Sequence, residues 1–237
     1  MRKRALATAV LAGVLVLSGS SCKTPTFGNE SGDSSSAPGV SAPTHSVLDT
    51  SHIQKDWRNE KFKPKAVVLH WQANDGSRGI EGLISDLNGT PTTFDSRLKS
   101  TDRHPVNGHT GVQIGVNLDG SASQLTPTLD TLARHATCAN WWAIGIEIAG
   151  SEPGSGHYIG DNAKQFAGVV KVVKELMARY DIPAVSIVGP QAHSGRGIVS
   201  HKMVDAKCTW ADGVRFGSGK TDVDDTYLRR IIAAVRD

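Results

Sequence analysis

Three polar residues set out the chemistry open to this chain: His70, His201 and Asp222. They stand far apart in sequence, so no compact motif of the His-Glu-x-x-His kind joins them. His201 and Asp222 lie near the two ends of "SHKMVDAKCTWADGVRFGSGKTDV", residues 200–223, with Lys220 two positions before Asp222. This stretch is too polar and too rich in Gly for a core element. A long irregular segment kept inside a folded domain usually carries function. Two imidazoles and a carboxylate suit zinc with one position left for water. Each residue also has a plainer reading by itself. His70 and His201 can be hydrogen-bonded core residues, and Asp222 a surface charge. Their types and order allow a metal site without requiring one.

The elements around these residues must bring them together. "KAVVLHW" is a short β-branched run that reads as a buried strand ending at His70. "GIEGLISDLNG" places Ile80, Leu83, Ile84 and Leu87 on one helical face, stopped by Gly89 and Pro91. "HTGVQIGVNLDGSASQLTP" alternates Val112, Ile114 and Val116, then turns at Asp119-Gly120, which signals a hairpin. "WAIGIEIAG" is a further strand, with Ile144, Ile146 and Ile148 on one face and Glu147 on the other. The clearest helix contains Phe166, Val169, Val170, Val173 and Leu176 as an apolar stripe. "AVSIVG" reads as another interior strand. "VDDTYLRRIIAAVRD" reads as a closing amphipathic helix with Asp224 or Asp225 at its start. Alternating strands and helices with one hairpin predict an α/β fold: a single domain with a mixed central β-sheet flanked by helices.

The N-terminus "MRKRALATAVLAGVLVLSGSSC" has a basic start and an apolar run from Ala5 to Leu17 that is too short to span a bilayer. Residues 1–21 are therefore expected to be an export signal. Cys22 after "LSGSS" resembles a bacterial lipoprotein cleavage site, although Gly19 stands where the pattern prefers Leu. Lipid attachment at Cys22 would anchor an exported protein to a membrane of the cell envelope; ordinary cleavage near Ser20 would leave it periplasmic or secreted. Residues 22–45, rich in Ser, Pro and Gly, are expected to form a flexible tether, with 46–237 as the folded domain. Arg2, Lys3 and Arg4 account for the whole formal charge of +3. A near-neutral mature chain gives no support to nucleic-acid binding. In an exported protein Cys138 and Cys208 can pair, which would pin two loops together; unpaired buried thiols are the alternative.

Four segments, "VVLHW", "HTGVQIGVNLDGSASQLTP", "RHATCANWWAIGIEIAG" and "SHKMVD…GKTDV", occur in an order that resembles the zinc-dependent N-acetylmuramoyl-L-alanine amidases, the group that includes the peptidoglycan recognition proteins and phage lysozyme-type amidases. The resemblance implies that His70, His201 and Asp222 hold zinc, that Glu147 is the catalytic carboxylate, and that Lys220 stabilises an oxyanion. His135 matches the His of a Trp-His-Ala-Gly-like stretch, with Arg134 in place of Trp, and is expected to touch substrate. Trp71 and Asn74 follow the first ligand and are expected to line the groove. His193 is a rival to His201, which keeps the better context, and His109 is expected to pack beneath the site. Trp141 and Trp142 are candidate sugar platforms or core residues. The implied partner is peptidoglycan or a muropeptide fragment, bound by a monomer. Two alternatives remain at this level: a non-catalytic peptidoglycan-binding module of the same fold, and a zinc peptidase acting within the stem peptide.

Overall fold

A computed structural model describes residues 46–53, 61–87, 111–187, 195–205 and 221–237, all within one compact unit, Ser41–Asp237. The sheet has six strands in the order β1-β4-β3-β5-β2-β6. These are β1 Leu48–Asp49, β2 Ala66–Trp71, β3 Ile114–Val116, β4 Ala122–Gln124, β5 Ala143–Ile148 and β6 Gly197–Ser200. Among these described strands the β3–β4 hairpin is the antiparallel pair; β2, the longest with β5, runs parallel to both β5 and β6. The expected mixed sheet flanked by helices is therefore what forms. β2 and β5 are buried along their full length, and β2 accordingly reads as a near-continuous apolar run.

The two faces of the sheet do different work. Val67, Leu69 and Trp71 of β2, with Ile144, Ile146 and Ile148 of β5, point into the main core. There they meet α2 (Ala163–Tyr180) and α4 (Asp225–Arg236). The α2 stripe of Val169, Val172, Val173 and Leu176 is fully enclosed, each side chain contributing about 1.5–3 kcal/mol by leaving water. The alternate residues face the other way. Ala66, Val68 and Ala143 pack there under Trp142, Val199 and a 3₁₀ turn at Thr137–Trp141. Further along that face α1 (Gly79–Leu87) lies on β3, and a Cβ at Gly115 would come within 2.4 Å of Ile80 Cδ1. Gly115 is what lets this helix sit so close.

Helix ends follow the sequence. Asn162 caps α2 by accepting from the Gln165 amide, and Asp181 closes it in the left-handed conformation. Asp224 is the cap of α4: its Oδ1 accepts from the Thr226 and Tyr227 amides, and its Oδ2 from the Tyr158 hydroxyl at 2.8 Å. Asp224→Ala removes all three bonds. It is expected to lower unfolding free energy by about 1–2 kcal/mol in urea titrations; a loss of only a few tenths would mean the cap does not hold α4.

Of the expected "AVSIVG" strand, residues 184–187 are described and pair with β6 through Val185 and Ile187, while 188 and 189 lie outside the described residues. Ser186 makes one isolated parallel bridge to Ile198 of β6, Gly197–Ser200, a strand the sequence did not point to. That strand runs straight into α3 (His201–Asp205), a helix where an irregular loop was expected. Residues 188–194 and 206–220 lie outside the described residues. Among the described residues no helix is long and apolar enough to cross a membrane.

Candidate active site

β2 and β5 build the floor of the site. In their parallel register His70 pairs with Glu147, so the two side chains emerge side by side on the face away from the main core. β6 extends the same sheet on the other flank of β2 and delivers His201 at the first position of α3. Asp222 precedes α4, and its carbonyl accepts from the Lys202 amide at 2.7 Å, tying that segment to α3. Three elements distant in sequence thus meet at the carboxyl end of β2.

His70 Nδ1, His201 Nδ1 and Asp222 Oδ2 form a closed triangle, 3.0, 3.1 and 3.2 Å on its sides. All three residues are buried, as is Glu147 beside them. Hydrogen bonds alone serve such a triangle poorly. Each imidazole nitrogen carries at most one proton and the ionised carboxylate carries none. If both imidazoles donate to Asp222, two N–H groups confront each other at 3.0 Å. A small cation satisfies all three corners at once. A triangle of these sides admits a point about 2.0–2.1 Å from every corner, the length of Zn–N and Zn–O bonds. The donor set therefore fits zinc. Burial opposes ionisation of Asp222, but the adjoining His201 and His70 imidazoles outweigh it and hold the carboxyl well below the usual carboxylate range.

His135 stands directly behind His70. Its Nδ1 lies 3.0 Å from His70 Nε2, and its own Nε2 lies 3.2 Å from the Ala143 carbonyl oxygen. The two rings meet edge to face. Burial, then the neighbouring His70, push the His135 pKa well below the ordinary histidine value; the Ala143 carbonyl only partly opposes them. Asn140 Oδ1 accepts from the His135 and Ala136 amides at 2.9 and 2.8 Å, which fixes the backbone under the ring. Gly145 of β5 leaves space for it: a Cβ there would come within 2.7 Å of the imidazole.

Other expected residues stand elsewhere. Trp71 is buried in the main core, because the residue after His70 in a strand must point to the opposite face. It does not line a groove beside His70. Asn74 builds a turn, its Oδ1 accepting from the Gly76 amide at 2.8 Å. Trp142 is core, and Trp141 packs partly buried against the same cluster. Cys138 is buried and disulfide-bonded. Lys220, Cys208, Cys22, His109 and His193 lie outside the described residues. The residues that sequence reading missed are Asn140, Gly145 and the Ala143 carbonyl. Asn140 and Gly145 carry no reactive group, and only the fold shows that they seat His135.

Several solved structures are similar to this chain. A mutant endolysin from Bacillus subtilis is 20% identical with a TM-score of 0.49, over 79% of this chain and 97% of its own. The endolysin of Thermus scotoductus MAT2119 bacteriophage Ph2119 is 16% identical with a TM-score of 0.49, over 77% and 92%. The N-acetylmuramoyl-L-alanine amidase LysC from Clostridium intestinale URNW is 14% identical with a TM-score of 0.46, over 78% and 95%. No curated protein matches. Residues 60–213, well over half of the chain, match the family model described as N-acetylmuramoyl-L-alanine amidase. That span covers His70, His135, Glu147 and His201, and by this match the chain belongs to the N-acetylmuramoyl-L-alanine amidase family, hydrolases of peptidoglycan.

Proposed function

We propose that this protein is a zinc-dependent amidase that cuts the bond between the lactyl group of N-acetylmuramic acid and the L-alanine of the stem peptide. The observation that carries the reading is the buried triangle of His70, His201 and Asp222, with Glu147 one strand away on the same face. These three side chains would hold the ion. When bound, zinc supplies a Lewis acid for the scissile carbonyl and lowers the pKa of a water towards about 7.

The chain's own residues do the rest. Glu147 accepts the proton of the attacking water on its carboxylate and passes it to the departing amine of L-alanine. The β2–β5 register holds that carboxylate beside His70. Lys220, by family resemblance, donates to the developing oxyanion, a role worth about 2.7–4 kcal/mol in preorganised sites. Cys208 is the partner proposed for Cys138, since Cys22 is reserved for the lipid. With that anchor and the 22–45 tether, the domain would work as a monomer at the cell envelope.

The test is mass spectrometry of purified sacculi digested by the full-length chain, with and without a zinc chelator. Release of stem peptides beginning at a free L-alanine amine, lost on chelation and restored by Zn²⁺, is the expected result. Binding without release would make the protein a recognition module. Cleavage inside the stem peptide would make it a peptidase.

A further inference from the structure

Both ring nitrogens of His135 face protein groups, Nδ1 the His70 ring and Nε2 the Ala143 carbonyl. A carbonyl oxygen has no proton to give, so the 3.2 Å contact with Ala143 requires a proton on His135 Nε2. A neutral imidazole then leaves Nδ1 as an acceptor. The group facing that acceptor, 3.0 Å away, is His70 Nε2, which must donate. With its proton on Nε2, His70 turns a bare Nδ1 lone pair into the triangle with His201 and Asp222. With both rings neutral, this order of contacts puts the protons on His135 Nε2 and His70 Nε2. It is the placement a cation at the triangle needs.

We propose that His135 is a positioning residue: it fixes the tautomer and ring angle of His70 so that Nδ1 is presented to zinc. This inference rests on His70 being a zinc ligand, as proposed above. It replaces the expectation that His135 touches substrate. Two observations independent of the relay support a built seat for this ring. Asn140 Oδ1 binds both the His135 and Ala136 amides. Gly145 stands opposite the imidazole where any side chain would collide with it, although Gly145 occupies the middle of a buried strand, where glycine weakens a sheet.

The relay makes a specific demand on substitutes. A side chain at 135 must accept from His70 and donate to Ala143. Gln can do both, and this protein already uses Gln113 that way: its Oε1 accepts from the Gly145 amide while its Nε2 donates to the Thr131 carbonyl. Leu can do neither.

The experiment measures zinc affinity of the full-length chain by chelator competition, and the His70 ring tautomer by ¹⁵N NMR, for wild type, His135→Leu, His135→Gln and Gly145→Ala. His135→Leu is expected to weaken zinc binding roughly 10–100-fold, the range found when a metal-binding His loses its outer partner. His135→Gln should recover most of that affinity and keep the proton on His70 Nε2. Gly145→Ala, which displaces the ring without altering it, should weaken zinc in the same direction. Activity of His135→Leu should return towards wild type at saturating zinc, because the loss is in metal binding and not in turnover. Equal zinc affinity of wild type and His135→Leu would overturn the inference. So would a Gln variant as defective as Leu, or a turnover loss that saturating zinc leaves in place. Failure of the wild type to bind zinc at all would instead overturn the reading of His70, His201 and Asp222 as the metal site.

Discussion

Glu147→Gln is expected to lower amidase turnover by about 10²–10⁴-fold, the usual contribution of a positioned general base, while zinc content and the fold stay as they are. The substitution keeps the shape of the side chain and removes its capacity to take a proton. Glu147 is only 9% exposed, between Ile146 and Ile148 of a fully buried strand. Taking a carboxylate out of water costs stability unless its partners compensate fully. A neutral Gln in the same place should therefore unfold at the same temperature as wild type or higher. The combination is the signature: activity falls steeply while thermal stability holds or rises, as at sites kept for chemistry rather than for packing. Sacculus digestion and a thermal melt on the same preparation check it. Turnover within about tenfold of wild type, below the lower end expected of a general base, would remove Glu147 from the mechanism. A large drop in melting temperature would show that the carboxylate is structural.

Much of this arrangement was legible in the residues. The alternation in "WAIGIEIAG" already put Glu147 on the face opposite Ile144, Ile146 and Ile148, and the structure places it there beside His70. Trp71 stands in the main core and not in the groove, because neighbours in a strand point opposite ways. Short elements were not legible. Gly197–Ser200 has four residues and His201–Asp205 has five, too few for any periodicity, and an isolated helix of that length is unstable without tertiary support. The apolar "AVSIVG" therefore drew the strand reading away from "GIVS". The setting of His135 was hidden for another reason. It depends on a carbonyl, on an amide side chain and on the absence of a side chain at Gly145. Composition and spacing signal none of these.

Asp222→Ala is expected to cost the most of any single change at the triangle. Asp222 brings the formal negative charge to the set; His70 and His201 bind a cation as neutral rings. If a zinc binding free energy of about 10–16 kcal/mol is shared roughly equally among ligands, each carries about 3–5 kcal/mol. Losing one then weakens affinity by hundreds- to thousands-fold. The loss should be visible without any substrate. A ligand that binds only the folded state raises stability by RT ln(1 + [L]/Kd), about 2.7 kcal/mol at a hundredfold excess over Kd. Wild type should therefore melt at a clearly higher temperature with added Zn²⁺, and Asp222→Ala should show little or no rise at the same concentration. The Lys202 amide bonds to the Asp222 main-chain carbonyl, so the variant keeps the tie between α3 and the segment before α4. A difference in the zinc-induced shift then reports the side chain and not a loosened backbone. Amidase activity should vanish in parallel and return only in part at high zinc. The same zinc-induced shift in both proteins would mean that the ion is held elsewhere, and the triangle would have to be explained by protons alone.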